Sequence, residues 1–245
     1  AKKHDEVVLT HEFDLQNHAG TRFKIGARRA VKLLETGQVG ELLGTKIPAA
    51  LDLVADQTVN TVANKGDATW KPETGLLSIW MLSMVQPSPT TTVFIPYKQG
   101  DESELGPVVN ADYFGTVPPE RLKATDGVIY FKTDGTQRGK IGVTPQRSTG
   151  VAGSYDPVAQ RMTLLIYKRP KEYFGYVNSM WELQDEPFKR DALNIYNDGP
   201  VDDSGEQMGP FYELESSSPA LALKPGDSGT HLQTIIHLYG DEAQL

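Results

Sequence analysis

The C-terminal segment GPFYELESSSPALALKPGDSGTHLQTIIHLYG, residues 209–240, indicates both the class of fold and the candidate site. Both of its ends alternate polar and apolar residues, as half-buried strands do. Side chains separated by an even number of residues in a strand point the same way. Glu213 and Glu215 therefore share one face of the first strand, and a face of the second strand carries His231 and His237. The two acids and two imidazoles could then meet on one surface, which would be either a functional site or merely hydrated.

Strand patterns also dominate the rest of the chain. EVVLTHEFDLQN and TRFKIGARRAVKLLE flank the turn residues HAG and predict an N-terminal hairpin, and further short strands are predicted at TTTVFIPY, GVIYFKT, GKIGVTP and RMTLLIYKRP. The nearly continuous apolar run LLSIWMLSMV, residues 76–85, predicts a strand buried on both faces. Within residues 39–66, ELLG and AALDLVA are compatible with a short helical turn, whereas Pro48 and TVNTVANKG favour strand and loop. The sequence predicts an all-β, mostly antiparallel sandwich or barrel with few short helices, in a single domain spanning residues 1–245.

Composition excludes several classes of function. The chain has 245 residues and a formal net charge of −8, from 24 Lys and Arg against 32 Asp and Glu. Nucleic-acid binding requires a positive surface, so no nucleic-acid partner is expected. No apolar run is long enough for a membrane span, and the absence of cysteine excludes disulfides and thiolate chemistry. The start at AKKHDEVV is typical of a mature chain after signal removal, so a periplasmic or extracellular location is expected.

The sequence contains none of the common cofactor or metal motifs. It lacks a phosphate-binding glycine loop, a dinucleotide-binding GxGxxG and an HExxH pair. Asp202, Asp203 and Glu206 cluster in one segment and could bind calcium through oxygen ligands, but their spacing matches no calcium-loop consensus. A hydrated acidic loop is the favoured interpretation, and neither a metal nor a cofactor is expected.

Several stretches resemble the galactose mutarotase-like family, above all a bacterial branch of unknown function. These are ETGLLSIWMLSMVQPSPTTTVFIPY (73–97), YFGTVPPERL (113–122), FKTDGTQRGKIG (131–142), YVNSMWELQDEPFKRDALNIYNDGP (176–200), and the tail with its Leu-Glu dipeptide, Pro-rich link and LKPGD turn. The resemblance covers most of residues 73–240. It implies a β-supersandwich with a sugar-sized pocket on the concave face of one sheet. The chain looks shorter at its N-terminal side than the family's usual domain, so part of the sandwich is expected to be absent or rearranged.

The resemblance also implies a base for sugar ring opening. In the mutarotases, the glutamate of the Leu-Glu dipeptide takes the proton from the anomeric hydroxyl, and a histidine protonates the ring oxygen. Glu215 aligns with that glutamate. In the family, the histidine lies in an Asn-His-x-x-Phe segment. In this chain the residues after His18 form a plain strand turn, so His18 is not assigned that role. The catalytic acid is placed at His231 or Arg138 instead.

Further residues are candidates for ligand binding. Arg138 and Lys140 are two apart after a turn and can point into one pocket, although both could also be solvent-facing charges. The stretches VNSMWELQ and NIYNDGP carry amide, aromatic and carboxylate groups suited to binding a pyranose, namely Asn178, Trp181, Glu182 and Asn194. Glu213 could bind ligand or form a salt bridge. Trp70 and Trp80 are predicted to lie in the core, and Arg121 is predicted to be structural.

Two main functions remain open from the sequence. The first is a cofactor-free enzyme that acts on an aldose or glycoside through Glu215, as an epimerase does. The second is a non-catalytic carbohydrate-binding module, which would bind sugar through Trp181 as part of a polysaccharide-utilisation system. A third, less favoured function is an accessory domain without a pocket. A second titratable group across a cleft from Glu215 would favour the enzyme. An open groove with an exposed Trp181, and with Glu215 held in a salt bridge, would favour the binding module.

Overall fold

The computed structural model describes residues 6–180, 182–200 and 205–245. Over these residues the chain forms two antiparallel β-sheets and two short helices, with 45% of residues in strands and 5% in helices. The strands are β1 (Glu6–Gln16), β2 (Arg22–Leu33), β3 (Asp52–Asn64), β4 (Trp80–Val85), β5 (Thr92–Pro96), β6 (Leu122–Thr125), β7 (Val128–Lys132), β8 (Gly139–Val143), β9 (Val151–Asp156), β10 (Arg161–Tyr167), β11 (Leu193–Asn197), β12 (Tyr212–Ser217) and β13 (Ser228–Tyr239). The helices are α1 (Thr36–Leu43) and α2 (Glu102–Leu105).

The two sheets differ in size and form an open sandwich. The larger sheet has nine strands in the order β1-β2-β3-β13-β10-β9-β5-β7-β6, and the smaller has four in the order β4-β12-β11-β8. Neither sheet closes into a barrel. The prediction of an all-β, mostly antiparallel sandwich with few short helices is confirmed.

The main core fills the space between the two sheets. Ile195 and Leu214 of the smaller sheet pack with Leu165 and Ile235 of the larger one. A buried hydrogen bond of 2.6 Å between the hydroxyl groups of Tyr212 and Ser154 also links the sheets. The even-numbered residues of β12 therefore face inward. Because side chains alternate, the odd-numbered residues of β12 point away from the larger sheet.

A second core lies on the outer face of the larger sheet. Helix α1 begins with a capping box between Glu35 and Gln38 and ends at Gly44, whose φ of 67° is left-handed. Its buried Val39 packs against Ile236 and other residues of the sheet. The helix thus covers ELL of the ambiguous segment, whereas most of AALDLVA belongs to β3. No helix in the described ranges is long and apolar enough to cross a membrane.

The apolar run 76–85 does not form a strand buried on both faces. The strand within it, β4, begins only at Trp80 and is an edge of the smaller sheet. Met81 faces the core, whereas the alternate side chains of Trp80, Leu82 and Met84 are exposed by 38%, 39% and 64%. The prediction is wrong because an apolar strand face need not be covered by a second layer; here it borders a cavity.

Candidate functional site

A cavity of about 170 Å³ lies on the outer face of the smaller sheet. All four strands of that sheet contribute to it, with loop residues at the rim. Its lining comprises Trp80, Leu82, Met84, Phe114, Arg138, Lys140, Ser179, Tyr196, Met208, Phe211, Glu213 and Glu215. The cavity therefore combines four aromatic rings with two cations and two carboxyl groups.

Strand register places the polar groups side by side. Glu213 lies opposite Tyr196 of β11, which in turn lies opposite Lys140 of β8. Glu215 lies opposite Asn194, two pairs further along. Because paired residues project on the same side of a sheet, an even spacing within β12 is enough to bring both acids to the cavity.

Glu215 is the most constrained group of the site. Its side chain is fully buried, and its Oε2 accepts hydrogen bonds of 2.8 Å from Lys140 Nζ and 2.8 Å from Trp80 Nε1. Its Oε1 is buried without a hydrogen-bond partner among the described residues. The Lys140 ammonium also lies 4.8 Å from the centroid of the Trp80 ring, within the range of a cation–π contact.

Glu213 is held mainly in its protonated form. Burial first, and then the neighbouring charge of Glu215, raise the pKa of Glu213 to about 8, although Lys140 opposes the shift. Lys140 forms its ion pair with Glu215 and not with Glu213, which is consistent with the raised pKa of Glu213. Neighbouring carboxyl groups in different protonation states can supply both an acid and a base.

Replacing Glu213 with glutamine should stabilise the protein at alkaline pH. In the wild type the folded pKa exceeds the unfolded one, so stability falls as pH rises from about 4.5 to about 8. The neutral amide removes this loss. We expect Glu213→Gln to raise Tm by at least about 2 °C at pH 9 but not at pH 4. A pH series of thermal unfolding curves measures this, and an equal shift at both pH values would contradict the assignment.

A buried hydrogen-bond network lies beside the cavity on the same face of the smaller sheet. Asp191 accepts hydrogen bonds from the Tyr113 hydroxyl at 2.6 Å and the Asn110 amide at 2.7 Å. Asn194 Nδ2 donates to Tyr113 Oη at 2.9 Å, so the amide is engaged in this network. Burial raises the pKa of Asp191 to about 6. A side chain at Gly142 would place its Cβ 2.0 Å from Asp191 Oδ2, which explains the glycine there.

Arg138 occupies the rim of the cavity. Its guanidinium carbon lies 3.9 Å from the centroid of the Phe114 ring, and its Nε is buried without a hydrogen-bond partner in the described part of the chain. The neighbouring Tyr196 hydroxyl donates to Asp198 Oδ1 at 2.7 Å. Arg138 and Lys140 thus line the same cavity. Asn194 does not line it and is instead hydrogen-bonded to Tyr113.

His231 does not meet Glu215. Its Nε2 lies 2.7 Å from Ser216 Oγ in the space between the sheets, and Ser216 in turn donates to Gln233 Oε1 at 2.6 Å. Gln233 Nε2 continues the chain to Ser83 Oγ at 2.8 Å. Burial lowers the pKa of His231 to about 4. This histidine is therefore neutral at physiological pH and is a structural group.

The predicted meeting of the acids and imidazoles on one surface is wrong, and with it the catalytic pairing of His231 with Glu215. Strands β12 and β13 belong to different sheets, and residues 218–227 cross from one sheet to the other. His231 points toward the smaller sheet from the larger one, whereas Glu215 points away from the larger sheet. His237 lies further along β13, where its Nδ1 is 3.0 Å from Thr163 Oγ1.

The remaining predicted residues have varied positions. Asn178 is half-buried in a loop, where its Oδ1 accepts a hydrogen bond from the Met180 backbone at 3.0 Å. Glu182 is exposed, and neither it nor Asn178 lines the cavity. Trp181, Asp202 and Asp203 lie outside the described residues. Among the residues that the structure describes, no group of three or more His, Asp or Glu is placed to hold a metal ion.

The tryptophans and Arg121 test the structural predictions. Trp70 is buried, as predicted. Trp80 is not a core residue, because its ring borders the cavity and its N–H binds Glu215. Arg121 is structural, since it forms a two-point ion pair with Asp134. Sequence reasoning also missed the aromatic contributions of Phe114, Tyr196 and Phe211, which come from separate segments of the chain.

Two wider clefts lie near the N-terminal hairpin. They measure about 600 and 610 Å³ and are bordered by residues of β2 and the end of β3. All of their titratable lining residues are exposed, including Asp67 and Glu12. The smaller cavity is the better candidate because it alone of the three contains buried, interacting acids and a buried cation.

The architecture and the cavity define an all-β, two-sheet antiparallel sandwich with a polar, aromatic-lined site on its smaller sheet. The chain belongs to a family described as "Family of unknown function (DUF6786)", whose model matches residues 1–245. No curated protein matches the chain.

Two solved structures match most of this chain at low sequence identity. Slr1438 from Synechocystis sp. PCC 6803 is 12% identical with a TM-score of 0.51, and the match covers 98% of this chain and 64% of that one. This likeness concerns the fold alone, and the chain spans less than two thirds of that protein's length. Lectin I-B4 from Griffonia simplicifolia is 10% identical over 97% of this chain and 93% of its own, with a TM-score of 0.12.

Proposed function

We propose that this protein binds a carbohydrate in the cavity of the smaller sheet and performs cofactor-free acid/base chemistry on it. The observation that carries the proposal is the burial of Glu213 and Glu215 side by side in one cavity, where Lys140 and Trp80 both bind Glu215. Perturbed pKa values cluster at functional sites, because burying ionisable groups in a cavity is costly and is tolerated where chemistry needs it.

The size and lining of the cavity suit a sugar unit. At about 170 Å³ it is smaller than the roughly 300–1,000 Å³ of pockets for drug-sized ligands, and thus matches one monosaccharide-sized group. The exposed Trp80 ring offers an apolar face for the C–H patch of a pyranose. Arg138 and the unpartnered Oε1 of Glu215 offer a donor and an acceptor to hydroxyl groups.

The carboxyl pair could open the ring of an aldose as follows. The Glu215 carboxylate accepts the proton of the anomeric hydroxyl while the Glu213 carboxylic acid donates its proton to the ring oxygen. The C1–O5 bond breaks and a free aldehyde forms. Ring closure on the opposite face of C1 returns both protons and gives the other anomer. In this scheme Glu213 takes the role of the acid that sequence reasoning placed at His231 or Arg138.

A non-catalytic binding module is the second candidate. It is favoured by the engagement of Glu215 Oε2 with both Lys140 and Trp80 at 2.8 Å, which opposes proton transfer at that oxygen. The two candidates share the binding site and differ in turnover. A ligand that binds without reacting would select the second.

A panel of monosaccharides and oligosaccharides, read out by thermal shift, tests the shared claim. A ligand present at about one hundred times its Kd should stabilise the fold by about 2.7 kcal/mol, which is roughly 5–10 °C in Tm for a chain of this length. Trp80→Ala should remove the shift, whereas Tyr239→Ala, similarly exposed on β13, should keep it. An unchanged shift in Trp80→Ala would exclude the cavity as the binding site.

A further inference from the structure

Strand β1 is unusual because all eleven of its residues are exposed. It forms one edge of the nine-stranded sheet, so one row of its backbone N–H and C=O groups is not paired with any strand of the described residues. One of its faces carries an apolar stripe: Val7, Leu9, Phe13 and Leu15 are exposed by 59%, 58%, 40% and 40%. His11 lies within the stripe and stacks on Phe13 at a centroid distance of 5.5 Å. Open edges with apolar side chains are surfaces on which another strand can pair.

We propose that β1 is a dimer interface at which a second copy of this chain adds its own β1 antiparallel, about a two-fold axis at His11. The occupant is inferred from the self-complementarity of the strand. A two-fold interface requires each residue to tolerate its own symmetry partner. With His11 opposite His11, the described residues of the strand, Glu6–Gln16, pair with one another along their whole length.

The apolar face matches itself in this register. Val7 comes opposite Leu15 of the second copy, and Leu9 comes opposite Phe13. Every large apolar side chain of the stripe thus meets another across the axis, and the exposed apolar surface is removed from water.

The charged face selects the same register. Its acids are Glu6, Glu12 and Asp14, and with His11 on the axis they oppose Gln16, Thr10 and Val8 of the second copy. Centring the pair on Thr10 would place Glu6 opposite Asp14, and centring it on Glu12 would place two Glu12 side chains together. Like charges directly opposite destabilise a strand pair, so one register is favoured over its neighbours.

The backbone of β1 fixes the geometry at the axis. Asn17 N–H donates to Thr21 C=O at 3.0 Å, so the odd-numbered residues of β1 direct their N–H and C=O groups to β2. The even-numbered residues present theirs at the free edge. The two His11 residues would therefore form a non-hydrogen-bonded pair, in which side chains approach most closely.

Engineered disulfides test both the interface and its register. The natural chain has no cysteine, so any disulfide in a single-cysteine variant must join two copies. Oxidised His11→Cys should migrate as a covalent dimer, because the two side chains face each other. Leu9→Cys should remain uncrosslinked, since its two copies would lie about 14 Å apart at roughly 3.4 Å per residue. Equal cross-linking of both variants, or none of His11→Cys, would overturn the proposed register.

Paired charges test the association without a covalent bond. The wild type should show twice the 26.9 kDa chain mass by light scattering at micromolar concentration. Leu9→Glu/Phe13→Glu should halve that mass, whereas Leu9→Lys/Phe13→Glu should restore the dimer, because positions 9 and 13 face each other across the axis. Circular dichroism verifies that the exposed substitutions leave the fold intact. A monomeric wild type, or a dimer that persists in Leu9→Glu/Phe13→Glu, would refute the proposal.

Discussion

Lys140→Met is expected to lower the free energy of unfolding by about 3–5 kcal/mol, the usual cost of removing one partner from a buried ion pair. Lys140 is 5% exposed and Glu215 is fully buried, so the substitution leaves a buried carboxylate without its cation. Methionine preserves most of the side-chain volume, and the loss therefore reports the unpaired carboxylate rather than a void. Chemical denaturation at pH 7 measures the effect, which is large against typical total stabilities of about 5–15 kcal/mol.

Two matched variants separate this effect from a general loss of a lysine. Lys132→Met removes a half-exposed lysine that is 3.1 Å from Asp134, and should cost less than about 1 kcal/mol because solvent screens the pair. The double variant Lys140→Met/Glu215→Leu should recover much of the stability, since a well-packed apolar pair often replaces a buried ion pair without loss. If Lys140→Met alone behaves like Lys132→Met, the ion pair is not the buried contact described above.

Glu215→Gln is expected to reduce turnover of a confirmed sugar substrate by about 10²–10⁴-fold, the usual contribution of a general base. The amide has nearly the same shape but cannot accept the proton, and its oxygen still accepts a hydrogen bond from Lys140 or Trp80. Sugar affinity should therefore stay close to that of the wild type. Steady-state kinetics together with calorimetric titration distinguish the two quantities.

The control for this prediction is Glu186→Gln, which neutralises an exposed carboxylate that forms an ion pair with Lys189. It should leave turnover unchanged. Normal rates in Glu215→Gln would remove this residue from the mechanism. Unaltered binding with no turnover in either protein would instead support the non-catalytic module.

Local sequence pattern was sufficient for features that depend on alternation within one strand. The even spacing of Glu213 and Glu215 correctly placed both on one face, and that of Arg138 and Lys140 placed both at the same cavity. The N-terminal hairpin followed from its turn residues and alternating strands. These inferences need no knowledge of how distant segments pack.

Features that depend on sheet membership could not be predicted. Alternation shows which residues share a face but not which sheet a strand joins, so it could not reveal that His231 and Glu215 lie on opposite sides of the smaller sheet. Trp80 was misassigned because an apolar cavity wall has the same sequence pattern as a core strand. The hydrogen bond between Asn194 and Tyr113 joins residues 81 positions apart, so no local sequence pattern could predict it.

The hydrogen-bonded chain from His231 through Ser216 and Gln233 to Ser83 has a mechanical consequence. It crosses the interior and ties the larger sheet to two strands of the smaller one. If only apolar side chains lay between the sheets, one sheet could slide slightly over the other. Here sliding would break these hydrogen bonds, and each buried polar group left without a partner would cost about 1–3 kcal/mol. These hydrogen bonds therefore fix the position of one sheet relative to the other. The smaller sheet, which forms the floor of the cavity, cannot shift over the larger sheet without breaking them.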